Sequence, residues 1–148
     1  MRRAAVVLEQ RRISLDLHEI QLASGEAKPI VVQPGRDAEP AYSPDGRTIA
    51  FHSQGGTWNY FEARHVAVVP SGGGTIRYLT ANQPYDVFRN GNSFAWSKDS
   101  QSITYTAGKG ATDVLLRQRL DTLEVTQLAE RISGAASFAG DGASAVLL

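Results

Sequence analysis

The chain has 148 residues, 42% apolar and 20% charged, and its fifteen basic and fifteen acidic side chains cancel to a formal net charge of zero. This is the composition of one ordinary globular domain; it excludes a disordered tail and any long-range field that would gather nucleic acid or an anionic membrane surface. Without cysteine there is neither a disulfide framework nor a thiol nucleophile, and the compartment stays open between cytoplasm and periplasm.

Met1-Arg2-Arg3 precedes a short apolar run, Ala4 to Leu8. The run falls below the roughly 7 residues of a secretory h-region. It and Ala143 to Leu148 are also far short of the roughly 20 residues of a membrane helix. Ala4 to Leu8 instead reads as a strand. Ile13, Leu15 and Leu17 then alternate with polar partners, Ser24-Gly25-Glu26 supplies a turn, and Lys28 to Val32 resumes in extended form, which predicts a hairpin.

Strands are predicted over Ala41 to Tyr42 and Thr48 to Ser53, joined by Ser43-Pro44-Asp45-Gly46. Serine there can bond forward, proline presets φ, aspartate suits the third place and glycine tolerates the fourth place of a type I turn. His65 to Val69, the glycines of Ser71 to Gly74, and Thr75 to Thr80 form the next hairpin. The order then repeats: Ser93 to Trp96, the turn Ser97-Lys98-Asp99-Ser100, Ser102 to Ala107, Asp113 to Leu120, Asp121-Thr122, and Glu124 to Ala129. Ala139-Gly140-Asp141-Gly142 starts it once more before Ser144 to Leu148. No stripe of helical period is present.

Ser43 recurs as Ser97, 54 positions on, and Asp99 as Asp141, 42 positions on. Repeats of this length made of short strands predict an all-β chain, a partial β-propeller of four-stranded antiparallel blades. The segments are a blade fragment over 4–33, blades over 40–80 and 93–129, and a further fragment over 135–148, incomplete at both ends. An arc of this kind is expected to be part of a larger protein. Tyr42, Trp96 and Phe138 occupy equivalent places, as do Ile49, Ile103 and Ala145, and then Phe51, Tyr105 and Leu147. These positions are expected to pack blade on blade.

A-Y-S-P-D-G-R-T-I-A-F-H-S-Q from Ala41, F-E-A-R at Phe61 to Arg64, R-Y-L-T at Arg77 to Thr80, and S-F-A-W-S-K-D-S-Q-S-I-T-Y-T-A from Ser93 resemble the amino-terminal propeller of prolyl oligopeptidase-family serine peptidases. The acylaminoacyl-peptidase and dipeptidyl-aminopeptidase branches are nearest. The resemblance covers about Asp16 to Leu148, and the turn motif is shared with other WD-like propellers, including the Tol-system translocation protein. It implies a non-catalytic, substrate-gating propeller whose partners are further blades, an α/β-hydrolase domain and peptide substrate. A stand-alone Tol-type scaffold that binds proteins is the alternative. No catalytic residue carries over: Gly142-Ala143-Ser144-Ala145-Val146 lacks the second glycine of a G-x-S-x-G elbow.

The long connection Gln54 to Arg64 concentrates Trp58, Tyr60 and Phe61 beside Glu62 and Arg64, residue types enriched at interfaces. These five residues are the candidate contact loop for a peptide or partner; the competing account has them folding back over a blade edge. No metal or cofactor is expected. His18, His52 and His65 lack ligand spacing, and Asp45, Asp99 and Asp141 are explained by their turns. Gly72-Gly73-Gly74 has no Lys-Ser or Lys-Thr after it. Arg2, Arg3, Arg11 and Arg12 form too small a basic cluster for nucleic acid.

Overall fold

The computed structural model describes residues 3–11, 14–57, 64–85, 87, 94–132 and 136–147. All regular structure among them is β, and it divides between two compact units, Met1–Tyr78 and Leu79–Leu148. Among the described residues no helix is long and apolar enough to cross a membrane.

In the first unit, β1 (Arg3–Arg11), β2 (Ser14–Gln21) and β3 (Ala27–Val31) form a three-stranded antiparallel sheet. A four-stranded sheet follows, in sequence order: β4 (Asp37–Tyr42), β5 (Thr48–Ser53), β6 (His65–Pro70) and β7 (Arg77–Tyr78). Leu17, Ile30 and Val31 of the first sheet pack with Ile49, Phe51, Ala67 and Val69 of the second in one buried cluster. Burying each large apolar side chain is worth about 1.5–3 kcal/mol, so this cluster adds several kcal/mol of cohesion between the two sheets. Tyr42 packs against the cluster and its hydroxyl donates to Glu19 Oε1 across the sheets at 2.7 Å. The alternation expected around Leu15 and Leu17 is only partly kept: Asp16, His18 and Glu19 are buried alongside Leu17, so polar groups face the interior of this strand.

In the second unit, β8 (Phe94–Trp96), β9 (Ser102–Lys109), β10 (Thr112–Arg119) and β11 (Val125–Ile132) repeat the four-stranded antiparallel order. β12 (Ala136–Phe138) and β13 (Ala145–Leu147) make a two-stranded sheet. Ile103, Tyr105 and Leu116 are fully buried; the Tyr105 hydroxyl donates to Gln118 Oε1 at 3.1 Å, and Gln118 Nε2 donates to the Leu79 carbonyl at 2.8 Å. Burial pushes the Tyr105 phenol up from its ordinary value.

The internal repeat is visible in the register. Tyr42 faces Ile49, Trp96 faces Ile103, and Phe138 faces Ala145, each at the mouth of its turn. Each turn closes in the same way: Gly46 N on Ser43 O at 2.8 Å, Ser100 N on Ser97 O at 2.9 Å, Gly142 N on Ala139 O at 2.9 Å. Asp45, Asp99 and Asp141 each accept from the amide two residues on, at 3.0 Å. Ser43 and Ser97 add a hydroxyl that donates to the aspartate at 2.6 Å and accepts from the opening amide of the next strand at 3.0 Å; Ala139 has no such group. Packing follows the repeat through the middle sheets, where Ile49, Ile103, Phe51 and Tyr105 are wholly buried. Ala145 is exposed and Leu147 half-buried in the last sheet.

Candidate functional site

The connection from Gln54 leaves the end of β5 opposite to the Ser43–Gly46 turn, and its base is held by a strap, residues 33–37, that leads into β4. Gln33 is the hub. Its amide nitrogen donates to Asp37 Oδ1 at 2.9 Å and to Ser53 Oγ at 3.1 Å, and its carbonyl oxygen accepts from the Tyr78 hydroxyl at 2.9 Å. Ser53 Oγ also accepts from Gly55 N at 3.0 Å. Gln54 reaches back, accepting Arg36 N on Oε1 at 2.9 Å and donating its own amide to Arg36 O at 3.1 Å. Gly35, at φ 96°, lies so close to the Thr57 carbonyl that a Cβ there would collide with it. Only glycine fits where strap and connection touch.

The electrostatics of this base are set by burial. Asp37 is 1% exposed, and burial raises its carboxyl from 3.8 to about 6. The bonds from Ser53 and Gln33 oppose that rise, and the charge of Asp16 adds to it. Asp16 is itself buried, and its Oδ1 and Asp37 Oδ2 have no hydrogen-bond partner among the described residues. Beside this pair, β4 carries a bulge between Ala38 and Ala41, with Glu39 in the left-handed region at φ 56°. The bulge aims Glu39 Oε2 at His52 Nδ1, 2.9 Å away. That contact, and the charges of His52 and Arg64, hold the Glu39 carboxyl below its ordinary range against the effect of burial.

Of the five loop residues singled out in the sequence, Trp58, Tyr60, Phe61 and Glu62 lie outside the described residues; Arg64 is half-buried, within electrostatic reach of Glu39. His18, His52 and His65 do not gather: among the described residues no three His, Cys, Asp or Glu side chains are placed to hold a metal ion. His65 instead meets the Tyr78 ring edge-on at 6.1 Å. Gln33, Asp37, Ser53 and Tyr78 escape sequence reasoning, because nothing in a lone Gln or Ser signals a network. Asp37 offers the one hint, as an acidic residue opening a strand that must face a core. The arrangement holds the start of the connection, at Gln54 and Gly55, through hydrogen bonds.

No family model matches the sequence, and no curated protein matches it. Solved structures do. TolB from Acinetobacter baumannii matches with a TM-score of 0.74 over 97% of this chain, at 17% identity. A putative TolB from Agrobacterium tumefaciens matches with 0.60 over 93%, at 24% identity, and the tricorn protease with 0.65 over 95%, at 13% identity. The chain is a partial β-propeller. At these identities the likeness is one of fold. The chain spans 34% of the Acinetobacter protein, 47% of the Agrobacterium protein and 13% of the tricorn protease. Among the described residues, the two four-stranded antiparallel sheets are consistent with that fold.

Proposed function

We propose that this propeller segment serves recognition, as the substrate-gating, non-catalytic portion of a prolyl oligopeptidase-like serine peptidase. Hydrolysis is assigned to an α/β-hydrolase domain of the same protein. The observation that carries the reading is the half-buried clamp centred on Gln33, which roots an aromatic- and arginine-bearing connection at one end of a blade. A rigid root lowers the ordering cost of binding, which is what a contact loop needs. F-E-A-R closes that connection and R-Y-L-T ends its blade, and with the two longer strings from Ala41 and Ser93 they carry the resemblance to the peptidase family.

The test uses the protein encoded by the complete reading frame beside the 148-residue chain. Both are assayed with aminoacyl and acylated peptide chromogens, with and without a serine-directed inhibitor. The expected result is inhibitor-sensitive turnover by the full protein and none by the chain. Inhibitor-sensitive turnover by the chain alone would overturn the non-catalytic assignment. Absence of turnover by the full protein, with retained binding of protein partners, would replace the peptidase reading with a Tol-type scaffold.

A further inference from the structure

Arg117 and Arg119 are two residues apart on β10 and therefore share one face of the third sheet. With Lys98 and Thr126 they line a cleft of about 460 Å³ whose opposite wall is the last turn, Asp141 to Ala143. That wall is held close by Gly142, at φ 66°, where a Cβ would collide with the Trp96 carbonyl. A smaller pocket of about 70 Å³ adjoins the cleft, sharing Arg117, Gly142 and Ala143 with it, and carries Leu115, Leu128 and Phe138.

The charges in the cleft are unequally committed. Arg119 is locked in a two-point pair with Asp121, Nε to Oδ1 at 3.0 Å and Nη2 to Oδ2 at 2.8 Å. Asp99 Oδ1 is taken by Ser97 Oγ and Gln101 N, and Asp141 Oδ1 by Ala143 N. The side chains of Arg117 and Lys98 are solvent-exposed and make no hydrogen bond or ion pair with the described residues. A guanidinium in that condition presents a fork that fits a carboxylate.

We propose that this composite site binds the free C-terminal carboxylate of a peptide ending in a small aliphatic residue. The carboxylate sits on Arg117 with Lys98 beside it, and the terminal side chain enters the pocket of Leu115, Leu128 and Phe138. Three features select this ligand class. Asp99 and Asp141 repel a dianion such as phosphate about twice as strongly as a singly charged carboxylate, and a carboxylate oxygen can accept from the N–H groups of a peptide. The pocket places apolar surface next to the free cation, which a bare anion does not use. Its volume of about 70 Å³ is about half that of a cavity that holds benzene, which suits a short aliphatic side chain. The site lies within the second unit and does not depend on the peptidase reading.

The test is titration of the chain with acetyl-Gly-Val bearing a free carboxylate, its C-terminal amide, and acetyl-Asp-Val-amide, followed by amide chemical shifts. The free acid should bind saturably, with the largest shifts in β10 and the last turn. Both amides should bind at least about tenfold more weakly, the loss expected for one charge-assisted contact. Arg117→Gln should weaken the free acid to the same extent with an unchanged melting temperature, since Arg117 is exposed. Leu128→Asn should remove the preference for a valine over a glycine terminus. Equal binding of acid and amide, an unaffected Arg117→Gln variant, or absence of saturable binding would overturn the site. Binding of acetyl-Asp-Val-amide as tight as that of the free acid would overturn its assignment to a chain terminus.

Discussion

Replacing Asp37 by asparagine isolates the cost of holding a carboxylate inside the clamp. Burial, reinforced by the charge of Asp16, lifts this group from 3.8 to about 6 despite the bonds from Ser53 and Gln33. An acid whose pKa is higher in the folded than in the unfolded chain retains its proton longer when folded. Its ionisation therefore removes stability as pH rises through the interval from 3.8 to about 6. A gap of about two pKa units corresponds to about 3 kcal/mol. Asparagine does not titrate, so the stability of Asp37→Asn minus that of the parent chain should increase by about 3 kcal/mol between pH 3.5 and pH 7 and level off beyond. The constant part of the difference carries the cost of an amide N–H₂ facing a place where Oδ2 has no partner, about 1–3 kcal/mol. Denaturant titrations of both proteins at half-unit pH steps measure the curve, and the subtraction cancels the carboxylates that do not interact with Asp37. A difference that stays flat across that interval, or falls, would refute the reasoning, because Asp37 would then ionise in the folded chain as it does in the unfolded one.

The other expectations concern the clamp and the turns. Gln33→Leu removes three hydrogen bonds and strands the Tyr78 hydroxyl; it should cost about 1–3 kcal/mol and speed hydrogen exchange at Gly55 N, with exchange at the Gly46 amide unchanged. Ser43→Ala should lower stability by about 1–3 kcal/mol, because the Thr48 amide loses its acceptor at a position 3% exposed. The reciprocal change, Ala139→Ser, should raise stability by about 0.5–1.5 kcal/mol by supplying the hydroxyl that the other two turns possess. Thermal melts of the three variants against the parent chain check the signs.

The blade order was legible because it is written at short range. Proline, aspartate and glycine in Ser43–Gly46 specify a reversal through their own backbone preferences, and the same register reappears wherever the string does. The alignment of Tyr42 with Trp96 and Phe138 therefore carried over to the folded chain residue for residue. Burial at the last of these repeats did not follow, since Ala145 has the right register and is nonetheless exposed. Pattern fixes which way a side chain points; a covering neighbour decides whether it is buried. The clamp was hidden for a different reason. Gln33, Ser53 and Tyr78 are separated by up to 45 residues and have no spacing that announces a network. Asp16 and Asp37 contradict the rule that charged groups stay outside, and only the fold shows that Gln33 offsets part of the violation at Asp37. Glu39 likewise reveals its role only through the bulge, since its left-handed backbone is what turns it toward His52.

Across the three reversals S-P-D-G, S-K-D-S and A-G-D-G, the aspartate Oδ1 is the constant, while the first residue has lost its hydroxyl once and the fourth has lost its glycine once. Random variation of these loops should accordingly meet very different ceilings at adjacent positions. The flanking sites can drift, whereas the carboxylate acts as a pin without which a hairpin loses its length. A propeller assembled from such hairpins can diverge almost everywhere in sequence and still count its strands correctly.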